Sequence, residues 1–451
     1  MKRNLLTVIC ILLLIAFVFN DNSNAQWVSA GTVSNVGSYP SISVASPTCV
    51  FVAGGPNGTP VIWRTTNGGL NWVSIGTTGV SLEVYCVWAK DSLVVFVGDG
   101  GASGGAGGNA KVYKTTNGGV NWTTILQTGG TAGFINGIVF SKNNPMYGII
   151  ESDPPTGTTY WIAKTVDGGN NWFIQNPPLS GAASAQNSIV IIDTMFYGFG
   201  LNAAPSRVGV TTNAGVNWTY QTLVGPTGGF ICAFAFADDK LNGLAASSGT
   251  TNAISRTTNG GLTWVSQTIP SGVTSGYVSI KFINGTSTAY LINSSASATI
   301  TAKSTDFGAT WTTIAPVSGV NGITHMEYVR VGQTVYLYAI SSTGAVMKLV
   351  DNVLVGVENN NSIPEEYKLE QNYPNPFNPT TTINFSLPKS AFVTIKVYDI
   401  LGKEIKTILS ENKDSGNHSV LFDAGDLPSG IYYYKIIANN FIDTKKMILL
   451  K

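Results

Sequence analysis

The stretch Thr65-Thr66-Asn67-Gly68-Gly69-Leu70-Asn71-Trp72 is the first of six related octapeptides in this chain. Each copy ends in a tryptophan, and successive tryptophans lie 50, 50, 46, 46 and 47 residues apart. They are Trp72, Trp122, Trp172, Trp218, Trp264 and Trp311. A nearly constant period of this length predicts a fold built by repeating one supersecondary unit.

Each repeat contains four short apolar runs separated by Gly, Asn, Ser or Pro, which is typical of β-strands. In the second repeat these runs cover residues 83–89, 93–98, 111–115 and 121–126. The octapeptide forms the turn between the third run and the fourth. Four strands in a unit of about 45 residues predict the blade of a β-propeller.

The ends of the repeat region indicate a seventh blade without an octapeptide. Three strand-like runs follow Trp311, between residues 323 and 349, and one isolated run lies at residues 26–29. We therefore predict a seven-bladed propeller over residues 26–352, whose last blade is completed by the N-terminal strand. Such closure removes the two open sheet edges that an incomplete ring would expose.

The residues of the octapeptide suit a turn better than they suit catalysis. Asn or Asp at the third position can bond the backbone two residues further on, and Gly at the fifth position allows a positive φ. Tryptophan at the eighth position can fill the gap between hairpins. We predict structural roles for the third and eighth residues of every copy: Asn67, Trp72, Asn117, Trp122, Asp167, Trp172, Asn213, Trp218, Asn259, Trp264, Asp306 and Trp311.

The pattern S/T-x-D/N-x-G-x-x-W resembles the Asp-box, or BNR repeat, of sialidases and xyloglucan-type hydrolases. It is similar also to the repeat of sortilin-like receptors and photosystem II assembly-factor propellers. The resemblance implies that the octapeptides are structural and lie on the propeller face away from the ligand. Four copies carry Asn where the box has Asp, which fits a turn-forming role.

The composition changes after Asp351. Residues 353–366 contain an Asn-rich stretch with a proline and are predicted to be a linker. Residues 367–451 contain about seven short alternating strands, which is typical of an immunoglobulin-like β-sandwich. The predicted fold class is therefore all-β, with a seven-bladed β-propeller followed by a small immunoglobulin-like β-sandwich.

The tail resembles the C-terminal sorting domain of proteins exported by the type IX secretion system of Bacteroidetes. The motifs that carry this resemblance are NYPNPFNP at 372–379, VYDILG at 397–402, DLPSGIYY at 426–433 and KKMILLK at 445–451. The resemblance implies that an outer-membrane translocon recognises residues 367–451 and that the domain is removed after export.

Residues 1–25 have the features of a secretory signal peptide. Lys2 and Arg3 precede an apolar run at 5–19, and small residues come directly before Gln26. The run is short for a membrane span, and we predict no transmembrane segment in the mature chain. The predicted location is the outer-membrane surface or the medium, reached by the Sec signal peptide and the periplasm.

Charge and metal-ligating residues are scarce. The net charge of +1, with only 11% charged residues, argues against a nucleic-acid partner. The histidines, His325 and His418, do not form a metal-binding motif, so we predict no cofactor and no metal. Cys49, Cys86 and Cys232 lie in apolar runs that favour buried thiols, although a Cys49–Cys86 disulfide stays open.

Five charged residues fall in loops of the second to fourth blades that are predicted to share the face opposite the octapeptides. They are Glu83, Asp99, Glu151, Asp153 and Arg207. Carboxylates gathered in this way can bind a sugar or a cation, or act as acid and base in glycoside hydrolysis. The alternative is a solvated rim without a ligand.

These observations favour a non-enzymatic surface module that binds a glycan or an extracellular protein. One alternative is a glycoside hydrolase of the Asp-box kind, similar to xyloglucanases or sialidases. The scarcity of arginines, two of which directly precede octapeptides, argues against a sialidase. A structural or adhesive surface protein is the third possibility.

Overall fold

The structure is a computed structural model and describes residues 25–56, 58–101, 108–156, 160–177, 187–201, 205–225, 231–247, 254–267, 277–295, 297–353, 366–372 and 375–450. The chain divides into two compact units, residues 1–354 and 355–451. Residues 1–24 of the predicted signal peptide and nearly all of the predicted linker lie outside the described residues. All regular secondary structure in the described ranges is β, in agreement with the predicted fold class.

The first unit consists of seven antiparallel sheets of four strands each, which confirms the predicted propeller. In six of these blades the strands are consecutive in sequence and neighbours in the sheet. They are β2–β5 (Ser41–Val44, Val50–Gly54, Val61–Thr65, Val73–Ile75), β6–β9 (Val84–Ala89, Val95–Asp99, Lys111–Thr115, Thr123–Gln127), β10–β13 (Ile135–Phe140, Gly148–Ser152, Trp161–Thr165, Phe173–Gln175), β14–β17 (Ile189–Ile191, Tyr197–Leu201, Arg207–Thr211, Thr219–Thr222), β18–β21 (Ile231–Phe236, Gly243–Ser247, Ile254–Thr257, Val265–Gln267) and β22–β25 (Tyr277–Phe282, Ala289–Ser294, Thr299–Ser304, Thr312–Ile314).

The seventh blade joins the two ends of the propeller sequence. Strand β1 (Val28–Thr32) pairs antiparallel with β28 (Ala345–Asn352), which continues the sheet through β27 (Thr334–Ser341) to β26 (Ile323–Val331). Trp27, just before β1, is 2% exposed and packs in the cluster between the sixth and seventh blades. The N-terminal strand therefore completes the ring, as the sequence predicted.

The hydrophobic core consists of clusters between neighbouring blades. Phe51 and Ile62 of the first blade pack with Val97 and Tyr113 of the second, and equivalent clusters follow around the ring. Because each sheet is covered on both sides, the second strands of the first five blades are buried at every position. Continuous apolar runs are expected for sheets covered on both faces.

The octapeptides form one turn six times. In the first copy, Thr65 Oγ1 donates to Asn67 Oδ1 (2.9 Å) and accepts from the Gly69 amide (3.0 Å). Asn67 Oδ1 also accepts from the Asn71 amide at 3.0 Å. The same pattern recurs in the other five copies. The third side chain therefore bonds an amide four residues further on, not two as the sequence suggested.

Positive φ angles at two consecutive positions explain this longer reach. Gly68 and Gly69 have φ of 72° and 94°, which curls the chain so that the Asn71 amide points back at Asn67. The fourth position keeps a positive φ where it is not glycine, at Ala214 (63°) and Phe307 (58°). The pattern identified the fifth position as left-handed but missed the fourth.

Side chains of the octapeptide region also connect neighbouring blades. The indole of Trp122 donates to the carbonyl of Gly76 at 2.8 Å, so it reaches back to the preceding blade. Directly before the octapeptides, Lys164 donates to the Ala214 carbonyl and Arg256 to the Phe307 carbonyl, each in the octapeptide of the following blade. Only Trp122 and Trp264 among the six tryptophans are fully buried.

The second unit is a β-sandwich of seven strands, as predicted. Its three-stranded sheet has the order β29-β30-β33, and its four-stranded sheet has the order β32-β31-β34-β35. Their bounds are β29 Lys368–Leu369, β30 Thr380–Leu387, β31 Ala391–Tyr398, β32 Glu404–Lys413, β33 Gly416–Asp423, β34 Gly430–Ala438 and β35 Phe441–Leu449. One apolar cluster, which includes Phe385, Val393 and Tyr434, fills the space between the sheets.

The hydrogen bonds of the octapeptide turn predict that replacing one hydroxyl by a methyl group lowers the stability of the protein. Thr115→Val removes the acceptor of the Gly119 amide and the donor to Asn117, leaving a buried amide unpaired. An unpaired buried amide costs about 1–3 kcal/mol, so urea unfolding should show a loss of about 2–3 kcal/mol. The matched control is Thr123→Val, an exposed position on β9 that should change stability by less than about 0.5 kcal/mol. Equal unfolding midpoints for the two variants would contradict this role.

Candidate functional site

The propeller has two distinguishable faces. In each of the six blades that carry an octapeptide, the turn between the first and second strands lies beside the octapeptide turn, because an octapeptide amide bonds a carbonyl of that first turn, as Gly118 does to Leu93. We call this side the octapeptide face. The second strands end, and the first and third strands begin, on the opposite face.

Asp99 is fully buried and accepts hydrogen bonds from residues just after β7 and in β8. Its Oδ1 accepts from the amides of Gly101 (3.0 Å) and Lys111 (2.9 Å), and its Oδ2 accepts from the Tyr113 hydroxyl (2.9 Å). Burial raises the pKa of this carboxyl despite these bonds. The sequence predicted a loop residue open to a ligand, whereas the structure shows the last residue of β7 with both oxygens occupied.

Glu151 is also inside the propeller. It lies within β11, is fully buried, and accepts a short hydrogen bond from the Tyr160 hydroxyl. The Tyr160 hydroxyl also lies 3.3 Å from the Gly200 carbonyl of β15, so this pair lies between the third and fourth blades. Asp99 and Glu151 are therefore not presented on the opposite face as the sequence predicted.

Glu83 is half-buried at the opposite face, beside an aromatic pair. Its Oε2 accepts from the Tyr85 hydroxyl at 2.7 Å, and the Tyr85 ring lies 4.4 Å from the ring of Phe134, centroid to centroid. Burial raises the pKa of Glu83, and the hydrogen bond from Tyr85 acts in the other direction. Both rings pack on the backbone of Gly100, where a Cβ would approach Tyr85 within 2.6 Å.

Asp153 is half-buried next to the same aromatic pair. Its amide donates to the Phe134 carbonyl at 2.9 Å, and its carboxylate accepts a short bond from the Asn136 side chain. Burial raises the pKa of Asp153 to about 6, and the Asn136 bond offsets only part of this effect. Glu83, Tyr85, Phe134 and Asp153 thus form a contiguous patch, which we call the rim patch.

Arg207 stands apart from these carboxylates. It is the exposed first residue of β16 in the fourth blade, and in the part of the chain that the structure describes no ion pair joins it to Glu83, Asp99 or Asp153. Of the five predicted residues, the structure therefore places Glu83 and Asp153 beside the same aromatic pair, partly exposed to solvent.

The histidine and cysteine side chains of the propeller are buried. His325 Nδ1 accepts from the Ile42 amide at 3.1 Å and lies 3.1 Å from Ser41 Oγ. Burial lowers the pKa of His325 to about 3, so it is neutral at physiological pH. Cys49, Cys86 and Cys232 are buried free thiols, and burial raises the pKa of Cys86. No Cys49–Cys86 disulfide is present.

A cavity of about 70 Å³ lies at the octapeptide-face end of the propeller axis. It is lined by first strands and first turns of blades three to seven. The apolar lining includes Phe140, Phe236 and Phe282. The polar lining includes Lys142, Asn143, Asp238, Lys281, Asn284, Glu327 and Tyr328. We call it the axial cavity.

An ion cluster crosses the axis within this cavity. Lys142 of blade three and Lys281 of blade six each lie 3.0 Å from a different oxygen of Glu327 in blade seven. Lys142 also donates to the Tyr328 carbonyl at 2.9 Å. Burial opposes ionisation of Glu327, but the two lysines outweigh it and hold its pKa below the usual range. The cluster links blade three to blades six and seven, neither of which is its neighbour in the ring.

Sequence reasoning missed the axial cavity. A signal for it exists in retrospect, because Lys281 and Glu327 are charged residues inside first strands of a chain that has only 11% charged residues. Within the described ranges, no group of three potential metal-ligating side chains is found, and no helix is long and apolar enough to cross a membrane.

The raised pKa of Asp153 predicts that ionisation of this side chain lowers the free energy of unfolding. Since its folded pKa lies near 6 against an ordinary 3.8, its contribution to stability is complete below about pH 4 and is lost as pH rises towards 6. Asp153→Asn should therefore match the parent at pH 3.5 and exceed its unfolding free energy by about 1–2 kcal/mol at pH 7.5. Urea titrations at both pH values test this, with the exposed Asp91→Asn as control. A pH-independent difference would contradict it.

The axial ion cluster predicts the reverse pH dependence. Glu327→Gln leaves two lysines without their counter-charge and should lower the unfolding free energy at pH 7 by about 2–3 kcal/mol. Because the folded pKa of Glu327 is depressed, this deficit should shrink as pH falls below about 4.5. Asp193→Asn, which breaks a more exposed pair with Lys240, should cost less than about 1 kcal/mol. Equal losses of unfolding free energy in these two variants would contradict a larger contribution of the axial ion cluster.

Comparison with known proteins supports the two-part architecture. Residues 371–450 match the family described as the secretion system C-terminal sorting domain. This match confirms the predicted type IX sorting tail and indicates export. A search of curated proteins finds no match to the chain.

Solved structures similar to this chain are β-propellers of low sequence identity. YCF48 bound to D1 peptide has a TM-score of 0.50 and 13% identity, over 74% of this chain and 98% of its own. An ancestral GH74 enzyme also has a TM-score of 0.50 and 13% identity, over 94% of this chain and 63% of its own.

PorZ of Porphyromonas gingivalis, an essential surface component of the type-IX secretion system, has a TM-score of 0.46 and 14% identity over 92% of this chain. This chain spans only 60% of PorZ. At these identities the similarities show the fold alone. The chain thus joins a β-propeller to a C-terminal sorting domain.

Proposed function

We propose that this protein is a non-enzymatic binding module, displayed on the outer-membrane surface or released, whose rim patch engages a glycan or an extracellular protein. Export would follow the predicted Sec signal peptide, the periplasm and the type IX translocon, with residues 367–451 as the sorting element. The ligand would be bound by the opposite face of the propeller.

The observation that carries this proposal is the occupation of Asp99 and Glu151 by internal hydrogen bonds. A glycosidase needs two carboxyl groups facing each other across the scissile bond, about 5–10 Å apart. Two of the four candidate carboxylates are withdrawn into the core. The remaining two, Glu83 and Asp153, flank an aromatic pair, an arrangement that suits hydrogen bonding to hydroxyls and stacking against a sugar or an aromatic side chain.

One observation favours the hydrolase alternative. The pKa of Asp153, raised to about 6, is the property that a general acid requires near neutral pH. Glu83 would then have to serve as its partner. The alternative therefore depends on the same patch and is separated from simple binding by turnover.

The test uses the purified full chain on a glycan array and a panel of polysaccharides. The double variant Glu83→Gln/Asp153→Asn should bind at least tenfold more weakly than the parent, while Asp239→Asn on the octapeptide face should bind normally. No reducing sugar should be released by any form. Unchanged binding by the double variant would refute the rim patch as the site, and hydrolysis abolished by Asp153→Asn would establish the enzyme instead.

A further inference from the structure

The axial cavity contains a donor and an acceptor that the described part of the protein leaves incompletely used. The Lys281 ammonium has one partner there, Glu327 Oε2 at 3.0 Å, although it carries three N–H groups. Asp238 Oδ2 accepts from the Gly285 amide at 2.7 Å, which leaves Oδ1 without a hydrogen bond from any described residue. Both side chains line the cavity.

The charges of the cavity balance. Its two lysines, Lys142 and Lys281, are matched by Glu327 and Asp238, so a strongly charged ligand would meet as much repulsion as attraction. The wall beside these groups includes Phe236 and Phe282, which are 3% and 6% exposed and therefore offer almost no ring surface to a ligand. A neutral polar ligand is the best match to this lining.

The volume of the axial cavity and its opening to solvent limit which neutral ligands can enter. The volume of about 70 Å³ is several times the roughly 10–15 Å³ that one water requires by the same measure, yet it is too small for an oligosaccharide. The exposed side chains of Lys142 and Asn143 form part of the lining, so the cavity opens to solvent on the octapeptide face. Only the end of a larger ligand would enter.

We infer that the axial cavity binds the terminal sugar residue of a glycan through adjacent hydroxyl groups. A hydroxyl both donates and accepts, so neighbouring hydroxyls can accept from Lys281 and donate to Asp238 Oδ1. A peptide amide fits less well, because its N–H and C=O point in opposite directions.

This site is independent of the proposed function. It lies at the octapeptide face, whereas the rim patch lies at the opposite face, and the two have no residue in common. Variants at one site therefore leave the other intact, and failure of either proposal does not decide the other.

The test is saturation-transfer NMR on the full chain with glucose, galactose, mannose and N-acetylglucosamine as separate probes, and triglycine as the peptide probe. At least one sugar should show saturation transfer, and Asp238→Asn should weaken its binding at least tenfold. In that variant the single amide oxygen stays with the Gly285 amide, which turns an NH₂ group into the cavity beside Lys281. The fold is preserved because the turn keeps its acceptor.

Asp239→Asn is the matched control, since Asp239 is the next residue, is exposed and does not line the cavity. It should bind the same sugar as tightly as the parent. The inference is overturned if no sugar gives a signal, if only triglycine does, or if Asp238→Asn and Asp239→Asn bind alike. Glu83→Gln/Asp153→Asn should retain the signal, and loss in that variant would assign the sugar to the rim patch.

Discussion

Burial of both faces of every blade between its two neighbours is the constraint on which this propeller depends. A four-stranded sheet with apolar residues on both sides is not stable alone, and each cluster of the core is shared between two blades. The ring therefore needs a last contact between its ends. The pairing of β1 with β28, with Trp27 packed beside them, supplies it and removes the exposed edges.

The octapeptide regions also contribute contacts between neighbouring blades. Each turn is held largely by hydrogen bonds between its own residues, and this explains why the repeat is so visible in the sequence. Its outward contacts are directed around the ring. Trp122 reaches the preceding blade, and Lys164 and Arg256 reach the octapeptide of the following one. A turn that is rigid in itself gives these side chains a fixed target.

Some charged residues of this chain stabilise the fold, whereas others remain near the surface. Composition alone does not distinguish the two groups. Asp99 connects β7 to the start of β8, and Glu327 pairs with lysines of two other blades across the axis. Glu83 and Asp153 remain near solvent, beside Tyr85 and Phe134. The two ends of the axis thus have different chemistry. One offers carboxylates with raised pKa beside aromatic rings, and the other offers a charge-balanced cavity.

Sequence alone determined the blade count, the closure by the N-terminal strand and the sorting tail, because repeats, strand runs and turn residues are local patterns that survive without coordinates. It also located Glu83 and Asp153. Only the tertiary structure decided that Asp99 and Glu151 are internal and that Arg207 stands apart, since burial depends on what the adjacent blade places against a side chain. The axial cavity is the clearest case. Lys142 and Glu327 are 185 residues apart in sequence, and the closed ring alone brings them into contact.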